Sequence, residues 1–308
     1  MKKIALNTAG RIGLKTMLLP LYDMIHTRKT KSEMKKYDPA RDTYDLNLKK
    51  RSFHMIVSLT TFPTRIGAAV YVIDAMMRQT LRPDKIILYL ASDEISSSEL
   101  PKEYENLTKR GLSICYVENL RPHKKYFYSM QEYPNSIVVT VDDDVLYPEN
   151  ILGTLYASYE KHPTSVSAMR VHRMLFKQNV LQPYNRWEYE HVRFSQPRLD
   201  LIATGMGGVL YPPGCMDERV FDIKAIINIC LTTDDVWLKF MQLLSRTHVV
   251  LAAKGKVNYV YFPESQKSSL WSTNRDDNRN DKSIRAVMRF LRLSDEELCK
   301  IVCESSCN

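Results

Sequence analysis

Three consecutive carboxylates, Asp142, Asp143 and Asp144, stand directly behind an apolar run, Ile137-Val138-Val139-Thr140-Val141. Like charges this close repel one another unless a cation lies among them. Carboxylates at a strand end suit Mg2+ or Mn2+, which take one or two such ligands and complete their shell on substrate phosphates. The bland alternative is a solvated acidic turn. A second acidic pair, Asp234-Asp235, follows Thr232-Thr233 and precedes Val236-Trp237-Leu238-Lys239-Phe240. This reads as a helix start, with Thr232 or Thr233 as cap and acids in the first turn, where the helix dipole favours them. Between the two acidic groups, Thr204 to Gly214 concentrates glycines where a backbone must approach something closely. It lacks the lysine and spacing of a phosphate-binding loop, and it does not open a helix.

The elements that must carry these residues alternate. Strands are predicted at Met55–Leu59, Lys85–Leu90, Ser113–Val117 and Ile137–Val141, and helices at Ala68–Thr80, Leu100–Arg110, Lys124–Tyr133 and Asn150–Lys161. Gly111 sits where a left-handed residue closes a helix. The alternation predicts an α/β fold with a mainly parallel central sheet flanked by helices. Ligands of such sheets bind outside the carboxyl ends of the strands, where Thr60-Thr61 and Asp142–Asp144 both fall. The later part is less regular, with Tyr184, Trp187, Tyr189 and Phe194 in a polar stretch that either packs or stacks on a flat ligand. Ser294 and Glu297 form a capping box for a final helix.

The chain has 308 residues and a net charge of +9. Nine Lys and four Arg face five acids in residues 1–51, so nearly all of that excess lies there, and the remainder is close to neutral. This argues against a nucleic-acid-binding enzyme with a basic face. No clean signal peptide is visible, because Asn7, Arg11 and Lys15 interrupt the apolar run, and no stretch is long enough to span a bilayer. Ile4, Leu14, Met17, Leu18, Leu21 and Ile25 can share one helical face, which suits an anionic membrane surface or packing on the body. Residues 28–51 read as a linker. Cys115 and Cys230, in apolar runs, read as buried thiols, and Cys299, Cys303 and Cys307 share a helical face without His or CxxC. All six cysteines are expected reduced, in the cytoplasm or at the inner face of its membrane.

Val57 to Arg65, the Asp142–Asp144 run followed by Tyr147-Pro148, Gly205 to Gly208, and Thr233 to Leu238 occur in this order. Together they resemble bacterial GT-A-fold glycosyltransferases of the family 2-like type that build capsule or lipopolysaccharide glycans. The resemblance covers roughly residues 53–280. It implies a segment at 1–51, a GT-A catalytic domain at 52–268, and a C-terminal loop with helices at 269–308. It implies a UDP-linked nucleotide-sugar donor, a glycan or lipid-linked glycan acceptor, Mn2+ or Mg2+, and inversion at the anomeric carbon. Thr60, Thr61, Phe62 and Arg65 would receive the nucleotide. Asp144 would ligate the metal directly, with Asp142 toward the metal or ribose and Asp143 within the same motif. Lys124 and Lys125 would approach the diphosphate or remain solvated. Asp235, with Asp234 as alternate, would be the base. A polar contact from the C-terminal loop would come from Asn274, Asn278 or Asn280, near Arg275 and Arg279. His172, after Arg170, is either near the acceptor or structural.

A sugar-nucleotide pyrophosphorylase would share the topology, but its Gly-rich, Arg-containing N-terminal signature is missing, and two further rivals differ in class. A DxD-type phosphohydrolase expects Thr or Val where Leu146 stands. A catalytically inactive membrane-peripheral scaffold on the same fold would have no use for both acidic groups.

Overall fold

The computed structural model describes residues 27–253, 255, 257, 259–262 and 278–303. The apolar face read over residues 4–25, and Asn274, Arg275 and Cys307, lie outside them. Four parallel strands form one half of the central sheet: β1 (Met55–Thr60), β2 (Lys85–Ala91), β3 (Leu112–Val117) and β4 (Ile137–Thr140). The seven-stranded sheet runs β3, β2, β1, β4, Val209–Tyr211, Val166–Ala168, Val249–Leu251. Val209–Tyr211 is antiparallel to both neighbours, and the other pairings are parallel. The chain moves outward from β1 to β3 and then returns to place β4 on the other side of β1. That reversal opens a crevice at the carboxyl ends of β1 and β4, where Thr61 and Asp142 begin.

Strands β1, β2 and β4 are buried on both faces, with alternate residues pointing to opposite sides. Val57, Leu59, Ile86 and Leu88 enter one apolar cluster, while Ile56, Ile87 and Tyr89 enter another. Helices Ile66–Met77 and Ile151–Lys161 cover the first face. Helix Lys124–Glu132 lies on the second, held by Ser129 Oγ, which donates to Ser58 Oγ at 2.9 Å and lies 3.1 Å from the Tyr89 hydroxyl. Helices Asp234–Leu244 and Arg279–Phe290 pack around a third cluster beneath the other half of the sheet. The Ser294–Glu297 box forms as predicted: Glu297 N–H donates to Ser294 Oγ at 3.2 Å, and Ser294 N–H donates to Glu297 Oε2 at 2.8 Å.

Three expectations change. The segment read as a linker is strapped to the body: Asp42 pairs with Arg78, Asn47 donates to Asp84 at 2.6 Å, Arg51 pairs with Asp84, and Leu46 is buried. Polar residues looked solvated because their partners lie far away in sequence. Thr233 precedes helix Asp234–Leu244 without a side-chain capping bond, its hydroxyl lying 3.0 Å from the Cys230 thiol instead. Cys115 is partly exposed, since β3 is the sheet's edge. Among the described residues no helix is long and apolar enough to cross a membrane.

Helix Asp234–Leu244 also buries Lys239, whose Nζ has no hydrogen-bond partner among the described residues. Burial pushes this ammonium down to about 7, against a weaker pull from Asp200. The unfolded chain holds the proton up to about 10.4. Between those values the unfolded state binds the extra proton, so folding stability rises with pH there, and the full penalty applies below about 7. Lys239→Met is therefore expected to raise stability by on the order of a few kcal/mol at pH 6. Thermal melts should show the gain shrinking toward pH 10. A constant difference across that range would contradict the assignment.

Candidate active site

The two acidic groups meet on one ammonium. Lys125 Nζ lies 2.9 Å from Asp142 Oδ1 and 3.0 Å from Asp234 Oδ2. Asp142 arrives from the end of β4, Lys125 from the first turn of helix Lys124–Glu132, and Asp234 from the first turn of helix Asp234–Leu244. Burial alone would drive the Lys125 proton off, but Asp142, Asp234 and Asp235 outweigh it and hold the group well above its usual range. Burial likewise lifts Asp234, but Lys125, His123 and the hydrogen bonds it accepts together outweigh burial and hold the carboxyl below its ordinary range. Among the described residues Asp235 has no such cation at contact distance. Burial and then the adjacent Asp234 push its carboxyl up to about 8. Its oxygens accept the Gly205 N–H at 3.2 and 3.3 Å.

Gly205 explains the glycine-rich stretch. A Cβ there would stand 2.7 Å from Lys125 Nζ, 3.3 Å from Asp142 Oδ1 and 3.6 Å from Asp235 Oδ1. The Gly205–Gly207 turn is thus the floor on which both acidic groups converge. Tyr147 fixes it from below: its hydroxyl accepts the Asp142 N–H at 2.9 Å and donates to Met206 O at 3.1 Å. Gly205→Ala is expected to displace the Lys125 ammonium and lower turnover about a hundredfold, as misplacement of about 1 Å in an active site does. A melting temperature close to that of the parent would separate this from unfolding, and unimpaired turnover would contradict it.

The remaining residues divide into two sets. Thr61 Oγ1 donates to Asp143 Oδ2 at 2.6 Å, and Arg65 Nη1 lies 3.1 Å from Asp143 Oδ1 and 3.0 Å from Asp144 Oδ2. Phe62 supports this guanidinium, 5.0 Å from its ring centre. Burial and the neighbouring Asp144 push Asp143 up to about 6, against the pull of Arg65 and Thr61. Asp143 therefore ties the two strand ends together. Thr60 turns away, its hydroxyl donating to Tyr89 O at 2.8 Å. Asn278 and Asn280 fall at and just inside the start of helix Arg279–Phe290.

Beyond the carboxyl ends of β2 and β3 opens a cleft of about 380 Å³ lined by Ser92, Asp93, Val117, Glu118 and Asn119. Lys124 Nζ donates to Asn119 Oδ1 at 3.3 Å. The cleft was not read from the sequence; acids and amides just after two parallel strands were the available signal. A larger hollow of about 430 Å³, between helix Ile151–Lys161 and Val250–Ala252, contains none of the acidic residues above.

Asp142 and Asp144 offer hard oxygen donors of the kind Mg2+ and Mn2+ prefer. Among the described residues no three His, Cys, Asp or Glu side chains gather into a metal cage. That donor set fits a cation that completes its shell on phosphate oxygens rather than on protein.

No family model and no curated protein matches the chain. Among solved structures, it is similar to the S. aureus TarS 1–349 fragment in complex with UDP, with 12% identity and a TM-score of 0.42, covering 67% of this chain and 60% of that one. It is also similar to CMP:2-keto-3-deoxy-manno-octonic acid synthetase complexed with CTP, with 8% identity and a TM-score of 0.41, covering 72% of this chain and 99% of that one. 4-Diphosphocytidyl-2C-methyl-D-erythritol synthase gives 8% identity and a TM-score of 0.43 over the same shares.

Proposed function

We propose that the chain is a metal-dependent, inverting glycosyltransferase that moves a sugar from a nucleotide-sugar donor, UDP-linked, to a hydroxyl of a surface glycan or lipid-linked acceptor. The observation that carries this reading is the shared contact of Lys125 with Asp142 and Asp234. It joins a cation-binding strand end and a base-bearing helix start in one crevice. The nucleoside would enter the cleft beside Asp93 and Asn119. The diphosphate would face Asp142 and Asp144, which would hold Mn2+ or Mg2+. Such a cation, when bound, offsets the negative charge of the leaving nucleoside diphosphate.

Asp235 takes the proton of the acceptor hydroxyl. The acceptor oxygen forms a bond to the anomeric carbon, and the bond from that carbon to the phosphate oxygen breaks. The electron pair leaves on the nucleoside diphosphate. Asp234 stays charged against Lys125 and orients this ammonium, while the Gly205 N–H holds the Asp235 carboxylate in place before it accepts the proton. A basic segment at residues 1–51 suits an enzyme at the inner face of the cytoplasmic membrane, beside a lipid-linked acceptor.

A panel of nucleotide sugars, each with and without Mn2+, tests the reading by thermal shift and by slow donor hydrolysis. At least one UDP-sugar is expected to raise the melting temperature and to hydrolyse only when the metal is present. Release of phosphate from simple monoesters would favour the phosphohydrolase. No shift and no hydrolysis with any donor would favour a scaffold.

A further inference from the structure

Arg170 stands at the opposite end of the glycine turn from Lys125. Thr204 N–H donates to Arg170 O at 3.1 Å, and a Cβ on Gly207 would lie 2.9 Å from Arg170 Cβ. The same turn presents the Gly205 N–H to Asp235. The Arg170 side chain is 15% exposed, and its ion-pair partner is Glu190, 3.3 Å from Nε and itself 66% exposed. Nε lacks a hydrogen-bond partner among the described residues, and Nη1 reaches the Met206 sulfur at 3.5 Å. Water screens an acid as exposed as Glu190, so the guanidinium is poorly compensated where it lies.

An aromatic wall flanks it. His172 is buried, and its Nδ1 accepts the Glu190 N–H at 3.0 Å. Glu190 takes a left-handed φ of 48°, uncommon outside glycine. The His172 ring packs 4.5 Å from Tyr189, and Tyr184 meets Tyr189 edge-on at 5.8 Å. Burial, and then Asp235, raise the Tyr184 phenol while Arg170 opposes them, so that ring lies in the field of both groups.

We infer that Arg170, with the exposed ring of Tyr189 beside it, forms an acceptor subsite for a sugar that carries an anionic group, a carboxylate or a phosphate. The inference rests on the glycosyl-transfer reading. A guanidinium matches either anion bidentately, and an aromatic face suits the apolar face of a sugar ring. The donor diphosphate is assigned to the Asp142–Asp144 end, so Arg170 serves the other reactant.

The test compares 4-nitrophenyl β-D-glucuronide with 4-nitrophenyl β-D-glucoside, binding being followed by saturation-transfer NMR and transfer by kcat/KM. The parent protein is expected to prefer the charged glycoside about tenfold, the size of a charge-assisted hydrogen bond. Arg170→Met should bring the ratio to about one, and Arg170→Lys should keep part of it. Misfolding would weaken both glycosides together, whereas loss of the subsite weakens the glucuronide and leaves glucoside binding at the parent level, so glucoside binding is the folding control. A parent without preference, or a preference kept in Arg170→Met, overturns the subsite. So does UDP binding weakened as much as glucuronide binding, which would place Arg170 with the donor. If no nucleotide sugar is turned over, the transfer reading fails by itself, because the binding ratio needs no turnover and still decides the subsite.

Discussion

Replacing Asp144 by alanine is expected to lower turnover about a thousandfold or more, the scale of several kcal/mol of lost charge stabilisation at a leaving group. Asp144 reaches the crevice from the strand end, held by Arg65 at 3.0 Å. Arg65 retains Asp143 at 3.1 Å when Asp144 is removed, so the strand ends stay tied and the loss falls on the site rather than the fold. Asp142→Ala is expected to cost a similar factor for a second reason as well. It leaves Lys125 with Asp234 as its remaining contact and frees the ammonium to shift across the Gly205 floor. Titration of UDP with and without Mn2+ separates the two variants from simple unfolding. The parent should bind UDP more tightly with the metal, and Asp144→Ala should bind it equally with or without. Full turnover in Asp144→Ala would refute the metal assignment.

What could be read in advance follows from how local the signal was. The strands at Met55–Thr60, Lys85–Ala91 and Ile137–Thr140 came out as expected because each is apolar on both faces over a length no amphipathic helix would give. The acid run was legible for the same reason: a buried strand must emerge somewhere, and its first polar residues mark the edge. Gly111 was placed correctly because its φ of 107° suits glycine at a helix end. The glycines at 205–208 announced a close approach, but not to what. Their partner, Lys125, lies 80 residues earlier, and lysine types are exposed so regularly that sequence gives no reason to bury one. The same limit hid Arg170 and the strap at residues 38–51. The strap is held by the Asp42–Arg78 and Arg51–Asp84 ion pairs and Arg170 pairs with Glu190, and a charged side chain looks alike in sequence whether its partner is water or a carboxylate elsewhere in the chain.

The order of events at the base can be tested with Asp235→Asn. The amide keeps the shape of the carboxylate and can still accept the Gly205 N–H, but it cannot take a proton. Loss of a general base is expected to lower kcat about a hundredfold to ten-thousandfold. The donor contacts proposed for Asp142 and Asp144 are untouched, so UDP affinity should stay within about twofold, a loss of kcat without a loss of donor binding. In the parent, burial and Asp234 hold the Asp235 proton up to about 8. The base is active once that proton leaves, so kcat/KM should climb with pH from about 6 toward 8 and then level. The residual rate of Asp235→Asn should lack that rise. Asp234→Asn should behave differently: it removes the neighbour that lifts Asp235, so the rising limb should move to lower pH. If instead Asp234→Asn abolishes the limb and Asp235→Asn keeps it, the base is Asp234 and the two roles are exchanged.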